Sequence, residues 1–168
     1  MGTMTPPRAI VVMGAAGSGK TTVGELLARE LGWRFDDADA FHPPENIAKM
    51  SAGTPLDDTD RAPWLAAIRR HLDDCIARRE GAVVTCSALK QKYRDVLLKN
   101  NSHTALVYLQ GTRKQLWERI SGRKNHFMKP AMLDSQLAAL EEPADALTLN
   151  IAPTPAELVA SIRRQLSL

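Results

Sequence analysis

Ala9-Ile10-Val11-Val12-Met13 runs directly into Gly14-Ala15-Ala16-Gly17-Ser18-Gly19-Lys20-Thr21, and this junction decides the fold. Five consecutive apolar residues predict a short strand covered on both faces. The octapeptide that follows fits G-x-x-x-x-G-K-[ST] in full. A helical pattern then runs over Thr22–Leu31 and stops at Gly32, a residue suited to the position just past a helix end. Strand, glycine loop and helix are the context a phosphate-binding loop needs. Its glycines let the backbone curl until successive N–H groups converge on phosphate oxygens. The helix N-terminus adds unpaired donors and a positive charge of about half an electron. Lys20 can reach the β- and γ-phosphates, and the Thr21 hydroxyl can ligate Mg²⁺. The bland alternative is a glycine-rich turn with an accidental lysine, and it leaves the flanking strand and helix without a purpose. The stretch predicts a nucleoside triphosphate site contacted by Gly14, Ala15, Ala16, Gly17, Ser18, Gly19, Lys20, Thr21 and Thr22.

Outward from this junction, short apolar runs alternate with helical patterns. Further strands are expected at Trp33–Asp36, Ala82–Cys86, Thr104–Gln110 and Ala146–Ile151. A helix over Trp64–Arg79 carries Trp64, Ile68, Leu72 and Ile76 at spacing four, a continuous apolar stripe ending before Gly81. Thr112 with Gln115, and Thr154-Pro155-Ala156-Glu157, are capping boxes that open two more helices. Strands separated by helices argue for βαβ units, hence an α/β chain with a mainly parallel sheet and helices on both faces.

The chain has 168 residues, 22 Lys+Arg against 19 Asp+Glu, and a net charge of +3. That length reads as one domain spanning 1–168, with 1–8 as a loose leader before the first strand. With 44% apolar and 24% charged residues, it is ordinary globular composition rather than a disordered or fibrous one. No apolar run approaches the roughly 20 residues of a membrane span, and the leader has no apolar region suited to a signal peptide. Two cysteines, Cys75 and Cys86, form no C-x-x-C pair, so a reduced, cytoplasmic setting is expected. The mild positive balance gives no reason to expect nucleic acid as a partner.

A phosphate loop serves many reactions. No N-K-x-D guanine-reading motif is present, which removes support for a GTPase. A small kinase needs an acceptor pocket with a carboxylate, cations for the moving phosphoryl group and a lid that excludes water. Phe35-Asp36-Asp37-Ala38-Asp39-Ala40-Phe41-His42-Pro43-Pro44-Glu45-Asn46 follows the second strand, where ligands bind in parallel sheets. Asp39 is assigned to the acceptor hydroxyl as proton acceptor and Asp37 to the metal side, while Asp36 reads as a cap of a short helix over Pro43–Met50. His42 and Asn46 lie one helical turn apart on the same approach and suit a polyhydroxy substrate, although a lone histidine can be purely structural. Asp60 reads as an N-cap. That leaves Arg61 at a helix start, where a cation is disfavoured, so either a carboxylate clamp or a neighbouring aspartate must explain it. Trp64 reads as core, and Cys86 as a small buried apolar residue. Lys90 and Arg94 would share a helix face and hold an anionic group, or pair only with Asp95 and solvent.

Trp117 to Pro130 carries Arg119 and Arg123 on one helical face between Gly122 and Pro130, the expected hinges of a lid at about 119–135. An arginine brought to the γ-phosphate is worth about 10³ or more in rate, though basic residues near a helix C-terminus are also favoured by the dipole alone. Phe127 and Met128 would form the apolar face that closes over substrate.

These motifs together resemble the gluconokinases, small P-loop kinases that phosphorylate D-gluconate at its 6-hydroxyl with ATP. The resemblance runs from about Ile10 to the final helix. It rests on G-A-A-G-S-G-K-T at 14–21, D-A-D-A-F-H-P-P-E-N-I-A-K-M at 37–50, G-T-P-L-D-D-T-D-R-A-P-W-L at 53–65, C-S-A-L-K-Q-K-Y-R-D at 86–95, R-K-N-H-F-M at 123–128 and L-D-S-Q-L-A-A-L-E-E-P at 133–143. It implies a three-layer fold like the shikimate and nucleoside monophosphate kinases, with a five-stranded parallel sheet, a mobile lid and a homodimer. ATP and Mg²⁺ are then the nucleotide and the ion, with Thr21 and Asp37 on the metal. Lys20, Asp39 and Arg123 would be catalytic, and Arg119 and Arg123 would join the nucleotide contacts. Asp39, His42, Lys49, Arg61, Lys90, Arg94 and His126 would face gluconate. The chain departs from the family pattern at Ala16, where serine is usual, and at Ala38 and Asn125, where glycine is. Other readings are a kinase for another hydroxy acid such as shikimate and, in a different class, a nucleotide-dependent binding module.

Overall fold

The computed structural model describes residues 5–99, 103–122 and 129–168. Its five strands are β1 (Ala9–Met13), β2 (Arg34–Asp37), β3 (Ala82–Thr85), β4 (Thr104–Gln110) and β5 (Leu147–Asn150). They form one parallel sheet in the order β2-β3-β1-β4-β5. Helices α1 (Lys20–Leu31), α2 (Pro44–Ser51), α3 (Asp58–Ala77), α4 (Gln91–Leu97), α5 (Arg113–Ser121), α6 (Pro130–Ala139) and α7 (Pro155–Leu166) connect and cover it. The expected three-layer α/β architecture is therefore observed.

The reason β1 is apolar throughout is visible in its neighbours. Ala9, Val11 and Met13 face α3, packing with Trp64, Leu65, Ile68, Leu72 and Cys75. Ile10 and Val12 face the other layer, with Val23 and Leu27 of α1, Leu116 and Ile120 of α5, and Val159 and Ile162 of α7. Each such side chain, fully withdrawn from water, contributes about 1.5–3 kcal/mol. α1 approaches the sheet through Gly24, where a methyl group would stand 2.7 Å from Thr85 Cγ2 and 3.1 Å from the Phe35 ring.

Most element boundaries shift by one or two residues, and the largest difference from expectation is at α3. α3 begins at Asp58, six residues before Trp64, because Asp57 rather than Asp60 is its N-cap; Asp60 is the third-position partner in a two-way capping box. Pro63 lies inside this helix. It removes one hydrogen bond close to the start, and the buried stripe on α3 outweighs that loss. The helix ends at Ala77, two residues short of Arg79. Arg79 takes φ 57°, so that Glu80 N–H reaches the Cys75 carbonyl at 2.8 Å. β2 starts at Arg34 and includes Asp37, while Trp33 lies flat against Gly81, whose Cβ would stand 2.2 Å from the indole.

The L-E-E-P run acts as a clamp between α4 and β4. Glu141 N–H reaches the Leu89 carbonyl and its carboxylate accepts from Gln91 N–H. Glu142 accepts from Tyr108 Oη at 3.1 Å and Gln110 Nε2 at 2.8 Å.

Candidate active site

The phosphate loop spans the gap between β1 and α1. Gly17 and Gly19 take φ of 83° and 84°, which other residues adopt only under strain. A methyl group at Gly17 would also strike the Leu116 carbonyl at 2.7 Å. Three helices close their first turn with a side chain: Asp57 for α3, Thr112 for α5 and Thr154 for α7. α1 has Gly19 at that position and no side-chain cap, so its leading amides are open to a ligand. Ala16, Gly17, Gly19, Lys20, Thr21 and Thr22 line a cup of about 170 Å³ around them. Ser18 Oγ is buried and has no hydrogen-bond partner among the described residues. Arg119 lies against the loop, its Nη1 3.3 Å from where a Cβ on Gly19 would be, and it donates to the Ile151 carbonyl.

The acceptor side is built at the carboxyl ends of β2 and β3. Asp37 Oδ1 accepts from Asp39 N–H at 2.9 Å, and Asp37 Oδ2 accepts from Thr85 Oγ1 at 3.3 Å. This Asx turn starts a 3₁₀ turn over Ala38–Phe41 and carries Asp39 beyond the sheet edge. The Asp39 side chain is 88% exposed, so its carboxylate is open to a substrate. Asp37 and Asp39 share a cavity of about 350 Å³ with Lys20, Thr21, Ser87 and Gln136. A second cavity of about 250 Å³ is lined by Arg61, Lys90 and Tyr93. Trp64, Cys86 and Ser87 line both, so the two form one trough running from the phosphate loop to α4.

A network under the trough fixes His42. Its ring stacks on Trp64 at 4.4 Å, and the Trp64 indole N–H donates to the Ala38 carbonyl at 2.7 Å. Asn46 Nδ2 donates to the Asp60 carbonyl at 2.9 Å and faces His42 Nδ1 at 3.1 Å. A carbonyl can only accept, so the amide nitrogen is identified, and His42 Nδ1 must be the acceptor. The ring proton of neutral His42 is therefore on Nε2, 4.0 Å from Asp39 Oδ1. Burial lowers the His42 pKa, helped by Arg61 and opposed by Asp39. Lys49 holds both Asp60 oxygens at 2.9 Å, which raises its own pKa and lowers that of Asp60. Lys49 is thus bound into the α2–α3 joint.

Arg61 is 3.8 Å from Asp58 Oδ1, with its guanidinium 5.5 Å from the Tyr93 ring centroid. Asp58 is taken by Lys92 and by Tyr93 Oη, which leaves Arg61 only a loose ion pair at the mouth of the trough.

Lys49, expected to face gluconate, is instead tied to Asp60, and two further residues also play different parts from those expected. Arg94 is buried and donates to the Ala88 and Glu141 carbonyls at 2.7 and 2.6 Å, so it braces the chain instead of sharing an anion-binding face with Lys90. Asp36 caps no helix: it accepts from Arg34 at 2.8 Å and pairs with His71 at 2.9 Å. Cys86 is a buried thiol whose pKa is pushed up to about 12 by burial, as befits a residue with no nucleophilic role. Arg123, His126, Phe127 and Met128 lie outside the described residues. Gln136 had no assigned role. Its Oε1 accepts from Ala16 N–H at 2.9 Å across 120 residues, a pairing with no local signal in the sequence.

An open phosphate cup beside the exposed Asp39 carboxylate and half-buried Asp37, with cations at the far end, defines the class as a P-loop kinase for a small acceptor. The Shikimate kinase family model matches residues 16–153. The chain is 48% identical over 139 residues to a gluconokinase of Gluconobacter oxydans (strain 621H), covering 83% of this chain and 78% of that one. It is 48% identical over 143 residues to a probable gluconokinase of Dictyostelium discoideum, covering 82% and 72%. A crystal structure of a gluconokinase from Sinorhizobium meliloti 1021 superposes with TM-score 0.84 at 46% identity, covering 96% of this chain and 92% of that one. The chain belongs to the gluconokinase family, within the wider shikimate kinase group.

Proposed function

We infer that the chain transfers the γ-phosphoryl group of ATP to the 6-hydroxyl of D-gluconate, giving 6-phospho-D-gluconate and ADP. The observation that carries this reading is the trough, which joins Lys20 and Asp39 at one end to Arg61 and Lys90 at the other. A linear hydroxy acid has matching ends: a terminal hydroxyl for Asp39 and a carboxylate for the two cations. Asp39 takes the hydroxyl proton as the oxygen forms its bond to the γ-phosphorus. The bond from phosphorus to the bridging oxygen breaks, and Lys20 balances the charge that moves onto ADP. The loop amides hold the phosphates in place, so most of the acceleration is positioning and charge stabilisation. Arg119 stands beside the loop to add positive charge, a role the resemblance also gives to Arg123.

Thr21 and Asp37 line the same cavity and offer only hard oxygens, a donor set that fits Mg²⁺ shared with phosphates. Among the described residues no cluster of three or more His, Cys, Asp or Glu could hold a metal without a substrate. Bound there, Mg²⁺ supplies charge neutralisation on the phosphates.

The test is ADP release with MgATP against D-gluconate, shikimate, other aldonic acids and nucleoside monophosphates. Turnover with gluconate and little with the rest is expected. Turnover with a different acceptor alone overturns the substrate, and silence across the panel with ATP still bound favours a nucleotide-dependent binding module. The reading includes a homodimer, to be checked by light scattering against the 18.4 kDa chain mass. It also includes a cytoplasmic setting, supported by two free, buried cysteines. Among the described residues no helix is long and apolar enough to cross a membrane.

A further inference from the structure

We propose that Gln136 of α6 is a specificity-determining residue that reads the hydroxyls of the acceptor while anchored to the phosphate loop. The inference rests on the kinase reading above. Ala16 N–H can only donate, so the Gln136 atom 2.9 Å from it is the amide oxygen. The planar amide then commits its other end, Nε2 with two hydrogens, to donation. Gln136 lines the cavity that holds Asp37 and Asp39, and it is absent from the lining of the phosphate cup. Among the described residues Nε2 meets no acceptor, so this donor is available to a ligand in the cavity where Lys20 and Thr21 of the loop meet Asp37 and Asp39.

That cavity has few neutral donors: the Thr85 hydroxyl is given to Asp37 and Thr21 is assigned to the metal, which leaves Ser87 beside Gln136. Asp37 and Asp39 accept hydrogen bonds, and Lys20 is committed by the loop motif to phosphate. A polyhydroxy acceptor presents oxygens that must both donate and accept, and an unmatched hydroxyl loses affinity by leaving buried polar groups unpaired. Gln136 supplies a neutral donor there without adding charge beside the γ-phosphate. Its placement is rigid enough to discriminate. Leu133, one turn earlier, is completely buried, and Asp134 pairs with Arg113 of α5. The loop amide fixes the side chain itself. One residue thereby ties α6 to the loop at Ala16.

The test compares the parent enzyme with Gln136→Leu, which can neither donate nor accept, and Gln136→Glu, which keeps an acceptor for Ala16 N–H but loses the donor. The readouts are KM and kcat for D-gluconate, ATP affinity measured without acceptor, and kcat/KM for deoxy analogues of gluconate. We expect KM for gluconate to rise tenfold or more in both variants. ATP affinity should stay within threefold in Gln136→Leu. One deoxy analogue, lacking the hydroxyl that Gln136 reads, should be used equally well by parent and Gln136→Leu. Unchanged KM for gluconate in both variants, or a loss confined to ATP affinity, overturns the proposal and leaves Gln136 as a brace of the phosphate loop. If the parent phosphorylates a different acceptor, the gluconate reading fails by itself, and the same variants are read on that acceptor.

Discussion

At the scale of single residues, the site separates groups that touch substrate from groups that hold the trough in shape. Asp39 is an exposed carboxylate, so Asp39→Asn should fold normally, keep its ATP affinity and lose about 10²–10⁴ of kcat. Steady-state turnover beside an ATP titration checks this, and unchanged kcat removes Asp39 as the proton acceptor. Arg94 is the opposite case. Arg94→Met strands the Ala88 and Glu141 carbonyls and should destabilise by about 2–4 kcal/mol. Lys90→Ala should leave the urea midpoint alone and raise KM for gluconate. Both residues are cations in the same sequence motif, and only burial tells them apart. His42 provides a pH signature. Its pKa is lowered in the fold, so the unfolded chain takes up the proton first as pH falls. The stability that neutral His42 contributes is present above its ordinary value of 6.5 and is lost as pH drops through the lowered one. Urea midpoints between pH 7 and 5 should therefore fall less in His42→Gln than in the parent.

Secondary-structure elements were legible where local chemistry terminates them. The two-way Thr112 box and the stop of α1 at Gly32 stand where the sequence puts them, while Thr154 caps α7 through the Glu157 N–H alone rather than in the expected two-way box. The start of α3 was not legible, because Asp57 and Asp60 both suit an N-cap and only their two-way hydrogen bonding shows that Asp57 is the cap and Asp60 its partner. Replacing Asp57 by Ala should destabilise by about 1 kcal/mol through the lost cap. It should also loosen the α2–α3 joint, because Asp60 is the group that Lys49 holds. A thermal scan and KM for gluconate, taken together, report both effects. Gly24 tests the packing of α1 on the sheet. Gly24→Ala raises helix propensity yet drives a methyl group into Thr85, so a net loss of about 1–3 kcal/mol is expected from overpacking. A stabilised variant would mean that the helix can shift to make room.

Across the whole molecule, nucleotide binding and folding are linked, since the phosphate cup is lined by loop and α1 residues that only the folded β1–loop–α1 unit brings together. ATP at about 100 times its Kd should add about 2.7 kcal/mol, which is a rise of roughly 5–10 °C in Tm for a chain of this size. A Lys20→Ala variant should lose most of that rise, and an equal rise would show that the cup does not hold the phosphates. Local sequence was enough to specify the architecture and the phosphate loop, because apolar runs, glycines and caps act on their immediate neighbours. It also placed Asp37 and Asp39 at a strand end. Which cations face the trough, which ring nitrogen of His42 carries the proton and which side chain meets Ala16 were settled by long-range packing. Those outcomes depend on burial and on partners up to 120 residues away, and no local pattern encodes a contact across that distance.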